Sequence, residues 1–142
     1  MRWRMLGLVP VVTAVGPDVS RSAAGRLVSE IVIVPTAFRA VTWTPGHTED
    51  HVVGTWLVGG EPESVELHIG DGGEVRSALI SRWGNPDAQP FGRYPFGCTV
   101  HSEQDFGGVR IPATISAGWW WGTDRQAHGE FFRARITAVA LH

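Results

Sequence analysis

From Ser64 to Ile69 the chain alternates polar and apolar residues, and the next four are Gly70-Asp71-Gly72-Gly73. Successive side chains of a strand leave on opposite faces, so Val65, Leu67 and Ile69 share one face while Ser64, Glu66 and His68 share the other. The Gly-rich tetrapeptide offers the positive φ angles of a tight reversal, and a second strand-like run follows over residues 74–83. A one-residue slip would turn every apolar side chain outward, so the buried face sets the register. This segment commits the chain to an antiparallel sheet with one dry face, which another element must cover.

The remaining pattern is also strand-like. Further strands are predicted over residues 52–58, 96–105, 109–121 and 130–141, separated by polar or Gly- and Pro-rich loops. One helix is predicted over residues 19–31, with Asp18 as its N-cap and Val19, Ala23, Leu27 and Ile31 as an apolar stripe. Gly25 inside it costs about 1 kcal/mol relative to Ala, which points to close packing on the sheet. At 142 residues with 43% hydrophobic and 18% charged side chains, the chain has the size and composition of one ordered domain. The predicted fold is mainly β (α+β): a curved antiparallel sheet or partial barrel of about seven to eight strands with one N-terminal helix.

Residues 1–15 carry two early Arg and then an apolar run, the outline of a signal peptide with a short h-region. The run is too short to span a bilayer. Pro10 interrupts it and Pro17-Asp18 opens the helix, so a mature strand is expected here, with a cytoplasmic location favoured over secretion.

Composition excludes several chemistries. All 12 basic residues are Arg, so no side-chain primary amine is available for a Schiff base, pyridoxal phosphate or a phosphate-loop Lys. With a net charge of −2 and scattered Arg, the chain shows no basic stripe for nucleic acid. Cys98 is the sole cysteine, which rules out an intrachain disulfide and a thiolate zinc cluster, and it reads as a small buried apolar side chain. No cofactor is expected.

Four groups of residues remain as candidates for a site. His47 and His51 are four apart, a spacing that puts two imidazoles on one face of a helix. Pro45-Gly46 makes a loop the better reading, no third ligand is in view, and no bound metal is expected. His101 and Glu103 are two apart on a strand and share a face, where a carboxylate can orient an imidazole for proton transfer. Asp124, Arg125, Glu130, Arg133 and Arg135 crowd the last loop and strand; Arg133 reads either as an anion-binding fork or as the partner of a carboxylate such as Asp124. Seven Trp residues exceed what one small core needs. In Trp119-Trp120-Trp121 alternation places Trp119 and Trp121 over the core and Trp120 on the more polar face, lining a cavity or an interface. Trp43, Trp56 and Trp83 would extend that wall.

Gly7-Leu8-Val9-Pro10-Val11, Gly16-Pro17-Asp18, Arg21-Ser22-Ala23, Pro35-Thr36-Ala37-Phe38, Pro95-Phe96-Gly97 and Ile111-Pro112 occur in that order. They lead to Ala117-Gly118-Trp119, Gly122-Thr123-Asp124-Arg125 and Gly129-Glu130-Phe131-Phe132-Arg133. Together these motifs resemble the C-terminal half of an uncharacterised bacterial family, a domain of unknown function. The resemblance implies a curved antiparallel sheet similar to bacterial lipid-carrier cradles, and no activity. Family members are longer, so residues 1–142 read either as a single domain or as the C-terminal part of a longer family domain.

The expected function is therefore binding of an apolar or amphipathic small molecule against an aromatic wall, with Trp120, Trp83 and Trp43 as lining and Arg82 and Arg133 at its polar end. A small cofactor-independent enzyme using Glu130, Asp124 or His101 as proton-transfer groups in the same cavity is the alternative. A structural module that pairs through its sheet edge, as a homo-oligomer, is the third reading.

Overall fold

Seven antiparallel strands form one sheet in strict sequence order, β3-β4-β5-β6-β7-β8-β9. They are β3 (Thr42–Pro45), β4 (His51–Val58), β5 (Glu61–Ile69), β6 (Val75–Gly84), β7 (Gly92–Asp105), β8 (Arg110–Trp119) and β9 (Glu130–Arg135). The computed structural model describes the backbone of residues 2–5, 9–13 and 16–139, and the side chains of residues 16–139 apart from Val28 and Pro35. Two short strands, β1 (Arg2–Met5) and β2 (Val9–Thr13), pair with each other in a separate ribbon. The seven-stranded sheet stays open, with β3 and β9 as its edges.

One face of the sheet is dry. Val65 and Leu67 of β5, Ala78 and Ile80 of β6, Phe96 and Cys98 of β7 and Ala117 of β8 are all buried there, at the alternate positions the sequence periodicity assigns. The hairpin between β5 and β6 closes at Gly70 to Gly73, with the Gly73 N–H donating to the Gly70 carbonyl and Gly73 at φ +80°. The helix α1 (Pro17–Ser29) and two 3₁₀ turns (Glu30–Ile33 and Pro35–Ala40) cover this face, and Ile31 and Val32 complete its core.

The helix differs from its sequence reading in two ways. It ends at Ser29, because residues 30–33 tighten into a 3₁₀ turn that drives both Ile31 and Val32 inward. Its sheet-facing side carries Asp18, Ser22, Gly25 and Ser29 rather than the apolar stripe, and Leu27 is 56% exposed. The reason is proximity. A Cβ on Gly25 would lie 2.8 Å from Cγ of Arg82, so only a small-residue face approaches the sheet this closely. Asp18 lies inside the first turn and accepts a hydrogen bond from Trp83 Nε1 (3.0 Å), which ties α1 to β6.

β5 pairs with β6 only from Glu66 to Ile69, so the first half of β5 and the second half of β6 part company. Arg93 of β7 spans that gap, donating to both oxygens of the buried Glu63 carboxylate and to the Ser81 carbonyl. Strand 109–121 of the sequence reading stops at Trp119, and strand 130–141 stops at Arg135; residues 140 and 141 fall outside the described part.

Leu67→Ala should cost about 2–5 kcal/mol in urea unfolding, as for other buried large-to-small changes. Leu57→Ala, at a position 71% exposed, should stay within about 0.5 kcal/mol of the parent. Equal losses would contradict this assignment of faces.

Candidate functional site

On the dry face, between α1 with its following turn and strands β7 to β9, lies a cavity of about 340 Å³. Val32, Ile33, Phe96, Cys98, Ile115, Ala117, Phe131, Phe132, Ala134 and Ile136 make it apolar, and Arg26, Ser29, Glu30 and Arg82 contribute its polar atoms. The volume falls at the small end of the range for small-molecule pockets, about 300–1,000 Å³. Phe131 and Phe132 are exposed at β9, so the cavity is aromatic where it meets solvent.

Arg82 dominates the electrostatics. Its guanidinium lies over Phe96, with Cζ 4.5 Å from the ring centroid, and over Trp119 at 5.1 Å. Among the described residues it makes no ion pair with a carboxylate, its Nε has no hydrogen-bond partner, and one Nη is 3.5 Å from Ser22 Oγ. Glu30, whose charge acts on it through space, is engaged by Arg26 Nε at 2.8 Å. Burial, with the nearby Arg26 charge, lowers the Arg82 pKa from its ordinary value. A half-buried cation with no carboxylate bonded to it is costly, so it stands out on the polar side of this cavity, where Arg26 and Glu30 are paired with each other.

The other residues singled out in the sequence are placed as follows. Trp120 does not line the cavity. The chain turns left-handed there (φ +62°), which ends β8 and breaks the alternation on which the sequence reading relied. Trp119 packs on Phe96 on the dry face, with ring centroids 5.1 Å apart. Trp121 lies against Gly97 and lines a polar cavity with His47, Glu66 and Thr99. Trp120 is buried between them: its Nε1 donates to Asp87 Oδ2 (2.9 Å), Arg125 stacks on its ring at 4.0 Å, and Tyr94 meets it edge-on. Trp43 packs over Gly54 and donates to the Phe38 carbonyl, and Trp83 donates to Asp18; neither lines this cavity. The aromatic wall of the cavity is made of Phe residues.

Arg133 pairs with Glu130, not with Asp124, and is remote from Arg82 in the fold, on the opposite face. His101 and Glu103 do not meet. β-Bulges on both sides of Ser102 interrupt the alternation; His101 Nε2 bonds Ser116 Oγ (2.9 Å), while Glu103 accepts from the Val75 N–H. Glu130 also interacts with Ser116 and His101, so two of the three proton-transfer candidates converge on Ser116. The Arg133 guanidinium beside Glu130 holds its carboxyl below the usual range, and Ser116 is only 1% exposed. Asp124 sits in an exposed turn. His47 and His51 come together with Glu66, a carboxylate that lies 15 residues beyond His51 and was invisible to local spacing.

Burial pushes the Cys98 thiol up to about 11 from 9.0, so it is inert in the cavity wall at neutral pH. Because the folded value is the higher one, this contribution to stability is complete below about pH 9 and is lost as pH rises toward 11. Unfolding free energy should fall more steeply over that window in the parent than in Cys98→Ala, and equal slopes would contradict the burial.

Residues 1–141 match the profile of the DUF6920 family, a family of unknown function, and the chain belongs to it. Comparison with curated proteins and with solved structures finds no match.

Proposed function

We propose that this DUF6920 protein binds an amphipathic small molecule with an anionic head, its apolar part in the cavity between α1 and strands β7 to β9 and its head against Arg82. The Arg82 guanidinium, half-buried at the cavity and bonded to no carboxylate among the described residues, carries this reading. A carboxylate or phosphate group would accept hydrogen bonds from the Arg82 guanidinium, which lines the cavity, in the planar geometry an Arg fork favours. The aliphatic and Phe lining would take the hydrocarbon portion, and Phe131 and Phe132 mark its entry. A ligand that neutralises a buried charge also removes a destabilising term, so binding and stability are linked.

The proton-transfer reading draws less support. Ser116, where His101 and Glu130 converge, is closed to solvent, and the Glu130 carboxyl is held in its charged form by Arg133. Pairing through a sheet edge is discouraged at β9 by Arg133 and Arg135, charges of the kind that keep edges apart.

Calorimetric titration with decanoate and decanol tests the proposal. The parent should bind decanoate more tightly than decanol. Arg82→Met should lose about 10- to 100-fold in decanoate affinity, the worth of a charge-assisted hydrogen bond, and retain its affinity for decanol. The same variant should unfold at equal or higher denaturant concentration, since it removes a half-buried charge whose Nε has no hydrogen-bond partner. Failure of the parent to bind either probe, or undiminished decanoate binding by Arg82→Met, would overturn the reading.

A further inference from the structure

On the face of the sheet opposite the cavity, the turn between β3 and β4 folds back on itself. Gly46 N–H donates to the His51 carbonyl (2.8 Å), His51 N–H donates to the Thr48 carbonyl (3.1 Å), and Ile69 N–H donates to the Asp50 carbonyl (2.8 Å). A Cβ on Gly46 would lie 2.6 Å from Cβ of His51, so the reversal needs glycine. It brings the His47 and His51 rings to a centroid separation of 4.3 Å. Register does the rest: His51 pairs with His68 and Val53 with Glu66, which puts Glu66 on the same face beside both imidazoles.

We infer that His47, His51 and Glu66 form a binding site for a divalent transition metal, with Zn²⁺ the best fit. Their ligand atoms all lie within 4.8 Å of one another. His47 Nδ1 is 3.5 Å and His51 Nε2 is 3.9 Å from Glu66 Oε1. Tetrahedral ligands on bonds of 2.0–2.1 Å are separated by about 3.3 Å, so the Glu66 distances need only small changes, while the widest separation must close by about 1.5 Å, a movement that rotation of the exposed His47 side chain can supply. Two imidazoles and one carboxylate are borderline donors that suit Zn²⁺ and its neighbours rather than Ca²⁺ or Mg²⁺.

The surroundings are those of a metal ligand set. His51 Nδ1 is 2.9 Å from Asp50 Oδ1, and Thr48 Oγ1 bonds the same carboxylate oxygen at 2.5 Å. An imidazole N–H donated to Asp50 leaves the lone pair on Nε2, the nitrogen nearer Glu66, which is the carboxylate–histidine arrangement that orients zinc ligands. The other Asp50 oxygen, Oδ2, bonds His68 Nε2 (3.0 Å), and the His68 ring stacks on His51 at 4.8 Å. All three proposed ligands border a polar cavity of about 410 Å³ that Thr99, Trp121 and Gln126 also line. Three protein ligands leave a fourth position for water or an anion on that side, as in zinc sites that act on a bound group.

The test uses the intact protein, stripped with chelator, reloaded with Zn²⁺ and desalted. Elemental analysis should find one zinc per chain, and Zn²⁺ should raise the thermal midpoint. His47→Ala, whose side chain is 62% exposed and therefore dispensable for folding, should lose both effects. Glu66→Gln should weaken Zn²⁺ by at least tenfold, and Asp50→Asn by about 10- to 100-fold through His51 alone. His128→Ala, exposed in the one-turn helix Gln126–Gly129 and outside the ligand cluster, should match the parent. Substoichiometric zinc in the parent, or the same loss in His128→Ala as in His47→Ala, would overturn the site.

Discussion

The stem of Arg82 runs beneath Gly25 of α1, and its guanidinium lies over the rings of Phe96 and Trp119. Much of the remaining architecture follows from that placement. The helix can approach the sheet only along its Asp18, Ser22, Gly25 and Ser29 side, because a larger residue at position 25 would collide with the Arg82 stem. The approach in turn seals Arg82 Nε from water and leaves it unsatisfied, while the side chain as a whole stays half-buried. Ring quadrupoles offset part of the desolvation cost but do not replace a counter-ion. This guanidinium is the group to which the proposed function assigns an anionic ligand head.

The sheet separates two chemistries by parity alone. Along β5, Val65 and Leu67 enter the core while Glu66 and His68, one residue away, belong to the histidine cluster. The two proposed sites therefore share a wall one sheet thick but no side chain, and each can be altered without touching the other. β7 behaves alike: Phe96 and Cys98 line the apolar cavity, and Thr99 lines the polar one.

At the end of the sheet where β8 finishes, the three consecutive indoles go to three places, and the left-handed backbone of Trp120 is the cause. Asp87 and Ala88, in the facing loop, are also left-handed. Asp87 meets both Trp120 Nε1 and Arg125, so one carboxylate ties the loop after β6 to the loop after β8. Trp120 thereby serves as the packed centre of a polar clasp, which explains a buried indole outside the main core.

The open antiparallel sheet, the hairpin at Gly70 to Gly73, the dry face through Val65, Leu67, Phe96 and Cys98, and the presence of one helix were all legible in the sequence, because period-two alternation and turn glycines are local signals. Arg82 was named with Arg133 as a polar-end candidate, and the phase it shares with Ala78 and Ile80 on β6 is what places it on the dry face. Local signals failed where the backbone left its period: at the 3₁₀ turn after Ser29, at the bulges around Ser102 and at the left-handed Trp120. Which carboxylate meets which cation was decided by tertiary structure alone. Glu130 rather than Asp124 holds Arg133, Glu63 takes Arg93 from 30 residues away, and no described carboxylate reaches Arg82. The gathering of His47, His51 and Glu66 was likewise beyond local reading, since it depends on the β4–β5 register. Alternation tells a residue its face, whereas its neighbour on that face is set by strand pairing, which joins residues that the chain keeps far apart.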